Sequence, residues 1–285
     1  MSIAARTGSP LDPPAAARPE PDVVAEARTT TRRVARTFAI ACRLLPRAVR
    51  DDVHLLYLVF RTLDDLVDEG DPEGRARVDA VAAWAEGAAG RWTREVGVLD
   101  ALDATHGLPR AAIGDFCAGM RQDLARETFA TEADVDRYCY RVAGTVGLVM
   151  TAVLGAHDAD RARPAAVALG VAMQRTNILR DIDEDLANGR VYVAQEAVDR
   201  HGSLRPGRRA ALLREQIAYA DRLYDLGLAG VGELRCGGRA IAAAGGMYRE
   251  ILRQIEREGY GETAGRAVVG RARKLAIAGR AAWRA

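Results

Sequence analysis

The chain has 285 residues, of which 49% are hydrophobic and 28% charged, enough apolar material for one large domain. Its 41 basic and 39 acidic residues leave a formal charge of +2, so no chain-wide basic field exists to hold nucleic acid or an anionic membrane. Lys274 is the only lysine, which excludes a Walker-type phosphate loop, and the four cysteines form no CxxC pair, which argues against a disulfide framework or a zinc site.

The free cysteines fit a reducing compartment, and no apolar run reaches the roughly 18 residues of a membrane span, so a cytoplasmic protein is expected. Residues 1–22 carry Pro10, Pro13, Pro14, Pro19 and Pro21 with little to anchor them and are expected to form a disordered tail. From residue 23 onward, Ala, Leu, Val, Arg and Glu dominate and no sustained period-2 alternation occurs. Helices are expected at 23–43, 48–69, 75–95, 109–127, 131–155, 161–187, 206–230, 237–258 and 261–282. Turn chemistry at Pro46, Gly70-Asp71-Pro72, Gly107-Leu108-Pro109, Pro164 and Gly202 to Gly207 separates them. The expected fold is all-α: a single domain over residues 23–285, a helical bundle around a central apolar cavity.

Two of these helices carry a polar stripe on an otherwise apolar body. In VHLLYLVFRTLDDLVDEGD, Tyr57, Arg61, Asp64 and Asp68 fall within roughly 60° of one another at about 100° per residue. In ALGVAMQRTNILRDIDEDLANGR, Gln174, Asn177, Asp181 and Asp185 repeat the arrangement, with Arg180 beside them. A lone DxxxD pair is usually a solvated helix end. Two such pairs are different, because carboxylates at i and i+4 repel each other and lose hydration unless a cation neutralises them. Facing each other across a bundle, they would hold a hard divalent cation, Mg²⁺ or alternatively Mn²⁺, completed by water and ligand phosphates. Arg61, Arg180 and Arg190 could meet the remaining phosphate charge with forked hydrogen bonds.

RTLDDLVDEGD and QRTNILRDIDEDLANGRVY resemble the paired aspartate motifs of the squalene/phytoene synthase family, the head-to-head branch of the isoprenoid synthase fold. ARTFAIACRLLP, GMRQDL at 119–124, YCYRVAGTVG at 138–147 and MYREILRQIEREGY extend the likeness over nearly all of residues 30–282, in the family's order. The resemblance implies an enzyme that ionises allylic prenyl diphosphates and condenses two of them head to head to a phytoene-, dehydrosqualene- or squalene-type product. It implies metal ligands at Asp64, Asp68, Asn177, Asp181 and Asp185, and a catalytic set that adds Tyr57, Arg61, Arg180 and Tyr248 to the four aspartates. Substrate contacts would come from Arg36, Phe38, Asp123, Val142, Val146, Gln174, Asn177, Arg190 and Tyr192. Asp65 would lie behind the metal ligands, and Lys274 could reach a phosphate from the C-terminal helix, although a surface charge at a helix end is the favoured reading. Gly144 and Gly147 could admit an isoprenoid tail to the backbone or could serve close helix packing.

NADPH would be needed only for a squalene product. The partner is a prenyl diphosphate, not nucleic acid; a lipophilic product leaves room for peripheral membrane contact, and the oligomeric state is open. Two departures from the family pattern, Ala35 in place of a serine and Val193-Ala194 in place of leucine and proline, keep a second acceptor in view, an aromatic small molecule. A third reading, a non-catalytic helical binding protein, is disfavoured by the retention of all four aspartates and their arginines. Because the tail offers no apolar face to bury, deleting residues 1–20 should leave the thermal midpoint unchanged; a large drop would show that the tail packs on the domain.

Overall fold

The computed structural model describes residues 19–283, and among them every regular element is helical, one isolated bridge between Ala156 and Leu234 aside. Helix α1 (Pro21–Val34) starts with a proline at its first position, where the missing N–H costs nothing. It therefore takes in the last two residues assigned to the tail; residues 19 and 20 precede it without regular structure, and residues 1–18 lie outside the described residues. The single helix expected at 23–43 is broken at Ala35 (φ −106°, ψ 61°), and α2 (Arg36–Cys42) follows as a separate element.

Helices α3 (Arg47–Asp68), α6 (Arg110–Ala125), α11 (Ala210–Ala229) and α12 (Gly238–Arg257) stand close to the expected places, whereas α4 (Gly74–Ala85) stops ten residues short of the end of the helix expected at 75–95. Helix α5 (Arg94–His106) was not expected. Its start is marked by Thr93, whose hydroxyl accepts from the Val96 N–H, and its end by Gly107 in the left-handed region. The short α10 (Gln195–His201) was missed as well. The run expected at 131–155 is α7 (Glu132–Cys139) joined through a π-helical turn at Tyr140–Gly144 to α8 (Thr145–Leu154). Helix α9 (Ala159–Ala187) is capped by Asp158 and carries Pro164 inside its second turn rather than at a joint. The helix expected from residue 261 begins only at α13 (Arg271–Trp283). Gly259, Tyr260, Gly261 and Gly265 all adopt positive φ in the loop before it, which no α-helix accommodates.

The apolar interior forms two main bodies. One is built from α3, α4, α5, α6 and α8 around Leu56, Leu63, Leu99 and Ile113; the other from α7, α9, α11 and α12 around Leu212, Tyr224 and Leu252. Val142 and Ile241 touch both bodies, while Phe38 and Met173 link each to a small cluster on α12 and α13. These seam residues stay partly uncovered where the bodies meet. Helix α9 runs through the middle, secured by the buried Arg175, which donates to Asp136 (2.8 Å) and Glu132 (2.8 Å) on α7 and to Gln216 (2.9 Å) on α11.

The two open glycines resolve in favour of packing. A Cβ on Gly147 would lie 2.5 Å from the Ala166 carbonyl oxygen, and one on Gly170 would lie 2.4 Å from that of Ala143; at Gly144 it would meet Tyr140 and Val167 at 3.1 and 3.4 Å. Gly147 and Gly170 let α8 and the π turn lie directly against α9. Gly170→Ala should therefore lower stability by about 1–3 kcal/mol through forced separation of these backbones, measurable as an earlier denaturation midpoint at unchanged m-value; an unchanged midpoint would mean the contact yields freely.

Candidate active site

The last turns of α3 carry the first stripe. Arg61 donates to Asp64 (3.1 Å) and also pairs with Asp65, so Asp65 helps hold the guanidinium while Asp64 shares it. One turn earlier Tyr57 sits against Phe38 of α2, ring centroids 5.5 Å apart. Burial pushes the Tyr57 phenol up to about 12, so it stays protonated as a neutral donor.

The last turns of α9 carry the second stripe. Arg180 grips Asp181 with two bonds (2.8 and 2.5 Å) and also shares a hydrogen bond with Tyr248 of α12. Asn177 donates to Gln174 (3.1 Å), leaving its own carbonyl oxygen buried and without a partner. Just past the helix, the Arg190 N–H donates to the Asp185 carbonyl (2.8 Å). The Arg190 guanidinium then reaches Asp68 across the gap (3.0 Å) and donates to the Tyr192 hydroxyl (2.7 Å). Tyr192 in turn donates to Asp123 of α6 (2.9 Å), which also accepts from Tyr138 of α7 (3.1 Å). One arginine thus ties both stripes and α6 into a single mouth. Tyr138 is a site residue that the sequence does not reveal, because nothing local marks its hydroxyl as bound to Asp123.

The electrostatics follow from crowding. Burial, with the Asp68 charge adding to it, raises Asp64 to about 7; burial and the Asp181 and Glu184 charges raise Asp185 to about 7; burial raises Asp123 to about 6 against the pull of Tyr192, Tyr138 and Arg190. The Asp64 side chain nevertheless keeps 41% of its surface accessible. A carboxylate that water touches while protein surrounds it on most sides lies in a concave cleft. Among the described residues no three carboxylates converge into a ready-made cage. An all-oxygen donor set of Asp64, Asp68, Asp181, Asp185 and the orphaned Asn177 oxygen suits a hard divalent cation that takes one or two carboxylates and fills its shell from water and phosphate.

Opposite polarity gathers beside this mouth. Lys274, expected on the surface, is half-buried on α13, and its pKa is lowered by burial and by the charges of Arg180 and Arg36. A half-buried lysine that feels the charge of two arginines makes a positive corner that an anion would relieve. The loop before α13 supplies a fourth, Arg266, whose Nε lies 2.8 Å from Asp181. The sequence does not mark it, because its residues read as part of a helix from 261 whereas they form a loop. Asp183, on the far side of α9, anchors that loop: it accepts from the buried Arg209 (2.6 and 2.7 Å) and from the Gly265 N–H (2.8 Å). Phe38 and Val142 lie at the apolar seam and Val146 against the first apolar body, rather than among these polar groups.

The profile of the squalene/phytoene synthase family matches residues 31–273. The chain belongs to that family. A phytoene synthase from Thermus thermophilus is 39% identical over 237 residues, covering 79% of this chain and 80% of its own length; a 15-cis-phytoene synthase from Synechococcus elongatus is 32% identical over 276 residues, covering 88% and 89%. Among solved structures, a ligand-bound dehydrosqualene synthase superposes with a TM-score of 0.83 at 26% identity, covering 92% of this chain and 96% of its own. Like its relatives of this family, the chain is a prenyltransferase.

The raised carboxyls give this family member a pH signature. A carboxyl whose folded value lies near 7 binds more protons folded than unfolded between the ordinary carboxylate range and that value, so stability falls as pH rises through the window. In metal-free buffer Asp64→Asn should therefore melt above the unsubstituted protein at pH 8, with the gap shrinking toward pH 4. Equal melting at pH 8 would mean that Asp64 carries no such strain.

Proposed function

We propose that this prenyltransferase, which condenses two prenyl diphosphates head to head, uses Mg²⁺ and two C20 allylic diphosphates to make a phytoene-type C40 hydrocarbon, without NADPH. The observation that carries the reading is the mouth itself: facing carboxylate stripes beside a cationic corner, opening on an apolar seam. The two phytoene synthases named above favour the phytoene-type product over a reductive one, and none of the relatives reported lends support to an aromatic acceptor.

When bound, the divalent cation would supply Lewis-acid withdrawal of charge from the departing diphosphate. It would be held by Asp64 and Asp68 from α3 and by Asn177, Asp181 and Asp185 from α9. Arg61, Arg180, Arg266 and Lys274 would take the phosphate oxygens that these ligands leave free, with Arg36 at the outer edge. Arg190, Tyr192, Asp123 and Tyr138 would keep the two stripes at a fixed separation. Tyr57 and Tyr248 stand where the polar mouth meets the apolar wall. With its phenol held protonated, Tyr57 offers a neutral hydroxyl and, with Phe38, an aromatic face to an allylic cation. Phe38, Val142 and Val146 would exclude water, whose attack would give only the prenyl alcohol. Gln174 would orient Asn177.

Chelation of divalent metal should abolish turnover, and Mg²⁺ should restore it. Asp64→Asn and Asp181→Asn should each slow diphosphate release by at least about a hundredfold, the size of losing a major stabiliser of the developing charge. With C20 diphosphate and no NADPH, mass analysis of the extracted lipid should find a hydrocarbon of two equal units. Prenyl alcohol alone, or a coupled product only with NADPH, would overturn the phytoene-type assignment.

A further inference from the structure

The near-neutral total conceals a strong separation of charge. Residues 27–50 contain seven arginines and no carboxylate, and residues 263–285 contain five arginines, Lys274 and no carboxylate. The rest of the chain is correspondingly acidic. The two stretches adjoin in space, because α13 packs on α2 as well as on α12. Among the described residues none of Arg32, Arg33, Arg43, Arg47, Arg271 and Arg280 is paired with a carboxylate, and all six are exposed.

Helix α13 has two unlike faces. At about 100° per residue, Lys274, Ile277, Ala278 and Ala281 point inward, Ile277 and Ala278 being buried against α12 and Lys274 reaching the cationic corner. The outer face carries Leu275, Gly279 and Trp283 at i, i+4 and i+8, with Ala272 and Ala276 beside them and Arg271 and Arg280 along its two edges. Leu275 is 47% and Trp283 90% exposed, and Val34, at the end of α1, is 42% exposed. No helix among the described residues is long and apolar enough to cross a membrane.

We propose that this outer face of α13, with Arg32, Arg33, Arg43 and Arg47 of the adjoining stretch, docks the enzyme on an anionic lipid bilayer. An apolar stripe with an interfacial tryptophan, edged by arginines and free of carboxylates, matches the layered chemistry of a headgroup region, where apolar side chains enter the acyl boundary and arginines meet phosphates. A nucleic acid would use the charges and leave the aliphatic stripe exposed to water. The arrangement also suits a product with no polar atom, a point that rests on the function proposed above, since the inner face of the same helix touches the substrate mouth.

The test is co-sedimentation of the full chain with vesicles of phosphatidylcholine alone and with phosphatidylglycerol added, read without substrate so that it stands apart from the catalytic assignment. Binding should appear only with the anionic lipid, fall with salt, and blue-shift tryptophan emission in a way that Trp283→Ala removes. Each basic residue near such a surface contributes about 1 kcal/mol, so Arg271→Glu with Arg280→Glu should weaken the partition at least tenfold, and Leu275→Asp should weaken it comparably. Both variants should keep the thermal midpoint and the turnover of detergent-dispersed substrate. Equal partition of the variants, or equal binding to uncharged vesicles, would overturn the proposal, as would a dimer in sedimentation equilibrium that Leu275→Asp dissociates, which would assign the face to a second copy.

Discussion

Negative charge collected at the negative ends of helices is the constraint on which the molecule turns. Helices α3, α6 and α9 each place carboxylates in their last two turns: Asp64 and Asp68, Asp123, and Asp181 and Asp185. There the backbone carbonyls already present a partial negative charge of about half an electron. The three ends meet at one mouth, where desolvation by burial and then like-charge repulsion oppose ionisation, which is why Asp64, Asp123 and Asp185 are raised. The arrangement persists because Arg61, Arg180, Arg190 and Arg266 reach in to compensate part of it. What they leave uncompensated is the capacity to bind a further cation.

Positioning these ends falls to the packing of α9. Its centre is pinned to α7 and α11 by the buried Arg175 network, and its flank lies against α8 and the π turn through Gly147 and Gly170, where even a methyl group would collide with a carbonyl oxygen. Removing one turn's regular register at Tyr140–Gly144 keeps α7 and α8 nearly continuous while setting Val142 between the two apolar bodies. The division of the core and the placement of the carboxylates therefore share a cause: the same helix that ends at the mouth also forms one wall of the seam.

Asp183 illustrates how supporting structure hides inside a motif. It lies between Asp181 and Asp185 in sequence but faces the opposite way, and through Arg209 and Gly265 it fixes the loop that brings Arg266 back to Asp181. Alternation around a helix gives one acidic run two tasks, the proposed metal binding on one face and loop anchorage on the other.

The sequence by itself determined what depends on neighbours a few residues apart: the all-helical character, the two stripes whose i, i+3 and i+4 spacing puts Tyr57 to Asp68 and Gln174 to Asp185 on single faces, and through the quoted motifs the family. Helical geometry is local, so spacing suffices. Tertiary structure alone decided the partners across long separations. Arg190 meets Asp68 from 122 residues away and Arg266 meets Asp181 from 85, and neither pairing leaves a mark on the residues around it. It also decided that Lys274 turns inward, and that the two arginine-rich stretches adjoin through α2 and α13, because total charge is a sum over composition whereas a surface field depends on where the chain places each charge.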